Sequence, residues 1–178
     1  MLYVFGFKQI AVAVSDLYFM DPEPSPGQEG AEHGVRLEVR LLESGPPGGS
    51  IYASRPITIG RPVWRADFLE TVDGEPGSFD RTHHHPRVRG WEPGPREFDR
   101  AVTADPLGWV GRRLDDLDSL MGDAHLPSAD REDVVALRQT IPEIQATVER
   151  LLRGVRAGDL AKPPEREAGL PGARASWL

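Results

Sequence analysis

Residues 35–42 constrain the fold more than any other part of the chain. Val35, Leu37, Val39 and Leu41 alternate there with Arg36, Glu38, Arg40 and Leu42. A period of two puts successive side chains on opposite sides of an extended strand. One face is therefore apolar. The other carries opposite charges that can pair with neighbouring strands. A second run, residues 63–72, sets Trp64, Ala66, Phe68 and Val72 on one face and Arg65, Asp67, Leu69 and Thr71 on the other. That second face is the first place where polar side chains can line a pocket.

Shorter extended runs precede these at residues 2–7, 10–14 and 17–20, rich in aromatic and β-branched side chains. Residues 21–34 read as a long loop holding several prolines and glycines and the acids Asp21, Glu23, Glu29 and Glu32. Gly45-Pro46-Pro47-Gly48-Gly49 marks a turn. An extended run resumes over 51–59, where Pro56 points to an edge position. Gly60-Arg61-Pro62 is a further corner.

The period changes in the last third. Leu107, Val110, Leu114, Leu117 and Met121 recur every three or four residues behind Asp105-Pro106, a cap followed by a first-turn proline. Asp130 and Asp133 can cap a second helix. Its stripe is Val134, Leu137, Ile141, Ile144, Val148, Leu151 and Val155, the pattern of a helix packed along a long seam. Pro142 either kinks this helix or forces a restart, with Thr140 as cap and Glu143 completing a capping box. Two such stripes joined by a short loop predict an antiparallel helical hairpin. Its free apolar edge covers the sheet or meets a second copy, so a homodimer through residues 134–155 is an expectation.

The fold expected is α+β, as a single domain over residues 1–158. A small antiparallel sheet or partly open barrel occupies 1–72, an irregular His/Arg-rich segment 73–105, and helices 106–157. A loosely ordered tail, 159–178, follows, with Trp177 docked back or exposed.

Composition narrows the function classes. The net charge is -7, which argues against a non-specific grip on nucleic acid. Only Lys8 and Lys162 are lysines among 21 basic residues. The arginine excess suits bidentate contacts to carboxylate or phosphate, or reflects coding bias. There is no cysteine, so disulfides, thiolate nucleophiles and cysteine-ligated metals are ruled out. That composition suits a reducing cytoplasm, where the protein is expected to reside. The sequence reads with neither a signal peptide nor a stretch of membrane-spanning length.

Three of the five histidines stand together in Thr82-His83-His84-His85-Pro86; the others are His33 and His125. In an extended segment His83 and His85 point one way and His84 the other. An H-x-H pair can bind zinc, iron, manganese, nickel or copper, with a third ligand from Asp67, Asp80, Glu92, His33 or Glu32. Zinc on two histidines and a carboxylate suits hydrolysis; iron on the same ligands suits oxygenase chemistry. An H-x-H pair followed by a glutamate is similar to the pattern of the cupin family. Here Glu92 comes seven residues after His85, with Pro86, Arg87 and Gly90 between, and no later histidine occupies a matching place.

The same segment supports a reading without metal. Arg81, Arg87 and Arg89, with Arg65, can bind a small anionic ligand on which Trp91 stacks. Against this, those arginines can pair with Asp80, Glu92, Glu97 and Asp99. Neither a G-x-S-x-G motif nor a P-loop is present.

The function expected is a small-ligand-binding or enzymatic pocket where the sheet meets the histidine segment. His83, His85 and Asp67 are its catalytic candidates. Arg65, Arg81, Arg87, Arg89 and Trp91 are its ligand-binding candidates. His83, His85 and Glu92 are the candidate ligands of a divalent metal. The alternative is a non-catalytic interaction protein, a dimer or accessory scaffold, using its C-terminal helices. No nucleic-acid or membrane partner is expected.

Overall fold

The alternating runs form strands β1 (Leu2–Gly6), β2 (Ile10–Met20), β3 (Ala31–Ser44) and β4 (Ile57–Thr71) in the computed structural model, which describes residues 1–164. With β5 (His83–His85) they make a five-stranded antiparallel sheet in the order β1-β2-β3-β4-β5. Each strand pairs with its sequence neighbour, so the sheet is an open meander with β1 and β5 at its ends. The short strands β6 (Val88–Arg89) and β7 (Glu92–Pro93) form a separate ribbon. The helices are α1 (Arg100–Ala104), α2 (Pro106–Asp115), α3 (Leu117–Asp123) and α4 (Arg131–Arg156). The protein is α+β.

The structure sharpens several sequence boundaries. β2 runs unbroken through Met20, and β3 starts at Ala31, inside the stretch expected as loop. Gly34 allows that extension. Its φ is +156° and a Cβ there would lie 2.0 Å from the Phe68 carbonyl oxygen, so only glycine permits the close approach of β4. Residues 51–56 are turn and irregular backbone, and β4 begins at Ile57. Pro62 lies within β4 and has no N–H for the ladder. The β3–β4 register shifts beside it, between Val39 and Arg40 and between Arg40 and Leu42. The histidine-rich segment, expected to be irregular, supplies the fifth strand.

The helical region also differs in detail. The first helix of the expected hairpin is two helices meeting at Asp116, which caps α3. α4 continues through Pro142, and Thr140 donates its hydroxyl to the Ala136 carbonyl instead of capping a restart. Asp130 caps α4. Asp133 is buried, and its carboxylate accepts the backbone N–H groups of Lys8 (2.7 Å) and Gln9 (3.0 Å), pinning α4 to the β1–β2 turn.

The core lies between one face of the sheet and these helices. Val35, Leu37 and Val39 meet Trp64, Ala66 and Phe68 there, all fully buried. Leu137, Ile144, Val148 and Leu151 of α4 are buried in the same core. The stripe that suggested a homodimer is thus used in packing α4 within its own domain. After α4 the chain turns back: Leu160 packs against the core and Ala161 N–H donates to Asp16 at 2.7 Å. Trp177 lies outside the described residues. No helix among the described residues is long and apolar enough to cross a membrane.

Candidate functional site

Two cross-strand rows on the sheet face away from the helices build the site. Antiparallel register aligns His83, Asp67, Arg36, Ser15 and Leu2 in one row, and His85, Arg65, Glu38, Ala13 and Val4 in the next. These side chains floor a cleft of about 960 Å³ that the β6–β7 ribbon and Arg96 border on one side.

β5 is short but held on both flanks. It pairs with β4, and His84 exchanges backbone hydrogen bonds with Glu97 at 3.0 and 2.9 Å. Strand alternation sends His83 and His85 into the cleft, while the His84 ring turns to the helices and meets Trp109 at 5.1 Å. Burial lowers the pKa of His84, and the neighbouring acid Glu97 only partly offsets this.

His83 Nδ1 lies 2.7 Å from the Arg81 carbonyl oxygen, and His85 Nδ1 lies 2.7 Å from that of Gly94. A carbonyl only accepts, so both Nδ1 atoms carry a proton and each ring turns its Nε2 into the cleft. The two Nε2 atoms face the same oxygen, Oδ2 of Asp67, at 3.5 and 3.7 Å. Three possible ligand atoms thus converge within 4.8 Å of one another, all from buried residues. Such convergence requires a cation among them, either a proton on one imidazole or a metal ion. The separations are long for a charged hydrogen bond. They match the ~3.4 Å between ligand atoms that metal bonds of about 2.0–2.2 Å give in a tetrahedron.

Asp67 is only 1% exposed. Burial opposes its ionisation, but Arg36 and the two histidines outweigh that and hold its carboxyl well below the usual carboxylate range. Arg36 grips it with two hydrogen bonds, Nε to Oδ1 at 2.8 Å and Nη2 to Oδ2 at 3.0 Å. Beside this pair, Glu38 accepts from Arg40 at 2.5 Å and from Arg65 at 2.8 Å. Arg96 reaches Glu32 at 2.9 Å.

The sequence candidates divide accordingly. His83, His85, Asp67 and Arg65 meet on the cleft floor. Glu92 is exposed and borders the cleft on β7, outside the group of converging ligand atoms. Trp91 is also exposed on that border, with the Arg40 guanidinium 5.4 Å from its ring centre. Arg81 is turned away, donating to the carbonyls of Gly27 and Glu29 and to the Thr71 hydroxyl. Arg87 and Arg89 are exposed, because β5 ends at His85 and Pro86 breaks the alternation. The remaining ligand candidates are elsewhere: Asp80 accepts from Thr71, Glu32 pairs with Arg96, and His33 borders a different depression.

Arg36, Glu38, Arg40 and Arg96 belong to the site and were not among the sequence candidates. The signal for the first three was present: they share the polar phase of one strand, and Asp67 and Arg65 share that of the next. The chain matches no protein-family model, no curated protein and no solved structure.

Proposed function

We propose that this protein is a metal-dependent enzyme. A divalent transition-metal ion binds Oδ2 of Asp67 and Nε2 of His83 and His85, in a cleft that receives a small anionic ligand. The observation that carries this reading is the convergence of both histidines on Asp67. Each Nδ1–H is tied to a backbone carbonyl, which leaves both Nε2 atoms facing one carboxylate oxygen. Ligand histidines are typically oriented in this way by an outer hydrogen bond. Arg36 plays the same part for Asp67, fixing its carboxylate from behind.

The ligand-atom separations favour a four-coordinate ion such as zinc. Three protein ligands leave one position open, and an ion there would supply Lewis acidity toward a carbonyl or phosphoryl group. Arg65 and Arg40, sharing Glu38, line the same cleft and would orient the anionic part of the ligand. The alternative of a partner-binding scaffold loses its main support, because the α4 stripe is already buried.

Metal analysis of untagged protein tests the proposal, combined with zinc titration of the wild type and of the His83→Ala and His85→Ala variants. The wild type is expected to hold one ion per chain. Each variant is expected to lose affinity by at least about 100-fold while keeping its circular dichroism spectrum. A wild type without metal above background, or variants that bind like it, would overturn the assignment.

A further inference from the structure

The two rows that build the site also grade in polarity across the sheet. Each begins with an imidazole on β5, passes through charged side chains on β4 and β3, narrows to Ser15 or Ala13 on β2, and ends on an aliphatic side chain of β1. The β1 ends are unusually open for their type: Leu2 is 63% and Val4 41% exposed. Ile59 and Trp91, both exposed, border the same cleft. Small side chains on β2 keep the floor low between the charged and apolar ends. Four strand gaps of about 4.8 Å separate β5 from β1, so the path is ~19 Å long.

The other end is charged. Arg36, Arg40, Arg65 and Arg96 line the cleft together with the carboxylates of Asp21, Glu38, Asp67 and Glu92. Arg36 and Arg65 bind Asp67 and Glu38 through Nε and Nη2, and Nη1 of each has no hydrogen-bond partner among the described residues. A divalent ion on Asp67, His83 and His85 would add positive charge to this lining. That end attracts an anion, and the β1 end attracts apolar surface left in water.

We infer that the cleft takes an amphipathic anion. Its carboxylate or phosphate head sits over Arg36 and Arg65 beside the metal ligands, and its apolar arm runs across Ala13 to Leu2 and Val4. The placement of the head rests on the metal site proposed above. The arm follows from the polarity gradient.

Calorimetric titration of the zinc-loaded full chain with acetate, hexanoate, decanoate and decyl phosphate tests this. Affinity is expected to rise about fourfold for each methylene buried. Decanol, which lacks the charge, is expected to bind roughly tenfold or more weakly than decanoate. The tighter of decanoate and decyl phosphate identifies the head group. Ala13→Phe fills the middle of the path and is expected to lose decanoate affinity while keeping one zinc per chain. Val4→Asp, at an exposed position that does not threaten folding, is expected to flatten the chain-length dependence. Affinity that ignores chain length, or decanol binding as well as decanoate, would overturn the inference. Zinc content measured on the same samples separates the two proposals. One zinc per chain with a flat series removes the amphipathic ligand and leaves the metal site standing. Absence of zinc removes the metal site and the head placement with it.

Discussion

On the helix side of β4, Trp64, Ala66 and Phe68 are wholly buried against apolar side chains; on its cleft side, Arg65, Asp67 and Leu69 stand between them in sequence and line a charged cavity. β3 repeats the contrast, with Val35, Leu37 and Val39 in the core and Arg36, Glu38 and Arg40 in the cleft. Burial alone does not separate the two faces, since Asp67 on the cleft side is nearly as hidden as Trp64 in the core. What differs is the kind of interaction. The core face stabilises by non-directional packing. The cleft face holds ion pairs whose desolvation offsets much of their attraction, so stability is a weak reason for them to exist. The binding role proposed above gives such a face, with charge buried around two convergent imidazoles, another reason to exist.

The contrast is open to attack from the core side first. Phe68→Ala is expected to cost about 3–5 kcal/mol in urea denaturation. Zinc stoichiometry of the protein that remains folded should be unchanged. Loss of zinc in step with stability would mean that the two faces are not independent.

A smaller effect is expected from Arg36→Met. Without metal, this leaves the Asp67 carboxylate buried without its partner, at a cost of about 3 kcal/mol. Saturating zinc is expected to restore most of that stability, because the ion takes over the compensation of Asp67. Denaturation with and without zinc measures it. An unrestored loss would make the Arg36–Asp67 pair purely structural.

The smallest effect lies at the end of β4. Asp80 accepts from the Thr71 backbone N–H and the Ser78 hydroxyl, both at 2.9 Å. Partial burial opposes its ionisation, but the bonds from Thr71 and Ser78, together with Arg81, hold its pKa below the ordinary 3.8. A depressed folded-state pKa contributes stability that is complete above 3.8 and lost as pH falls through the lower, folded value. Asp80→Asn is expected to remove less than about 1 kcal/mol near neutral pH, since the group is mostly exposed. It should also flatten the stability loss below pH 3.8. An unchanged acid profile would contradict the assignment.

Much of this arrangement was legible in the alternation of residues 35–42 and 63–72. Period two fixes which side chains share a face, and it correctly separated Asp67 and Arg65 from Trp64 and Phe68. It does not say whether a polar face is wet or folded into a cleft, so Arg36, Glu38 and Arg40 read only as charges able to pair with neighbouring strands. Asp67 was expected together with His83 and His85, and the register of β5 on β4 brings Asp67 opposite His83. Proximity favoured Glu92 and the cluster of Arg81, Arg87 and Arg89. Pro86 and the end of β5 at His85 instead leave those arginines outside the cleft. The helical stripe of α4 was clear from its spacing, whereas its passage through Pro142 depended on tertiary packing.

The central claim is that His83 and His85 hold their protons on Nδ1 and offer Nε2 to a metal. Long-range ¹H–¹⁵N spectra of the imidazole rings, recorded before and during zinc addition, test it most directly. Both rings are expected to keep a proton on Nδ1 with and without metal, and their Nε2 signals to shift with one equivalent of zinc. An Nδ1 without its proton in the free protein, or Nε2 signals that ignore zinc, would contradict the account.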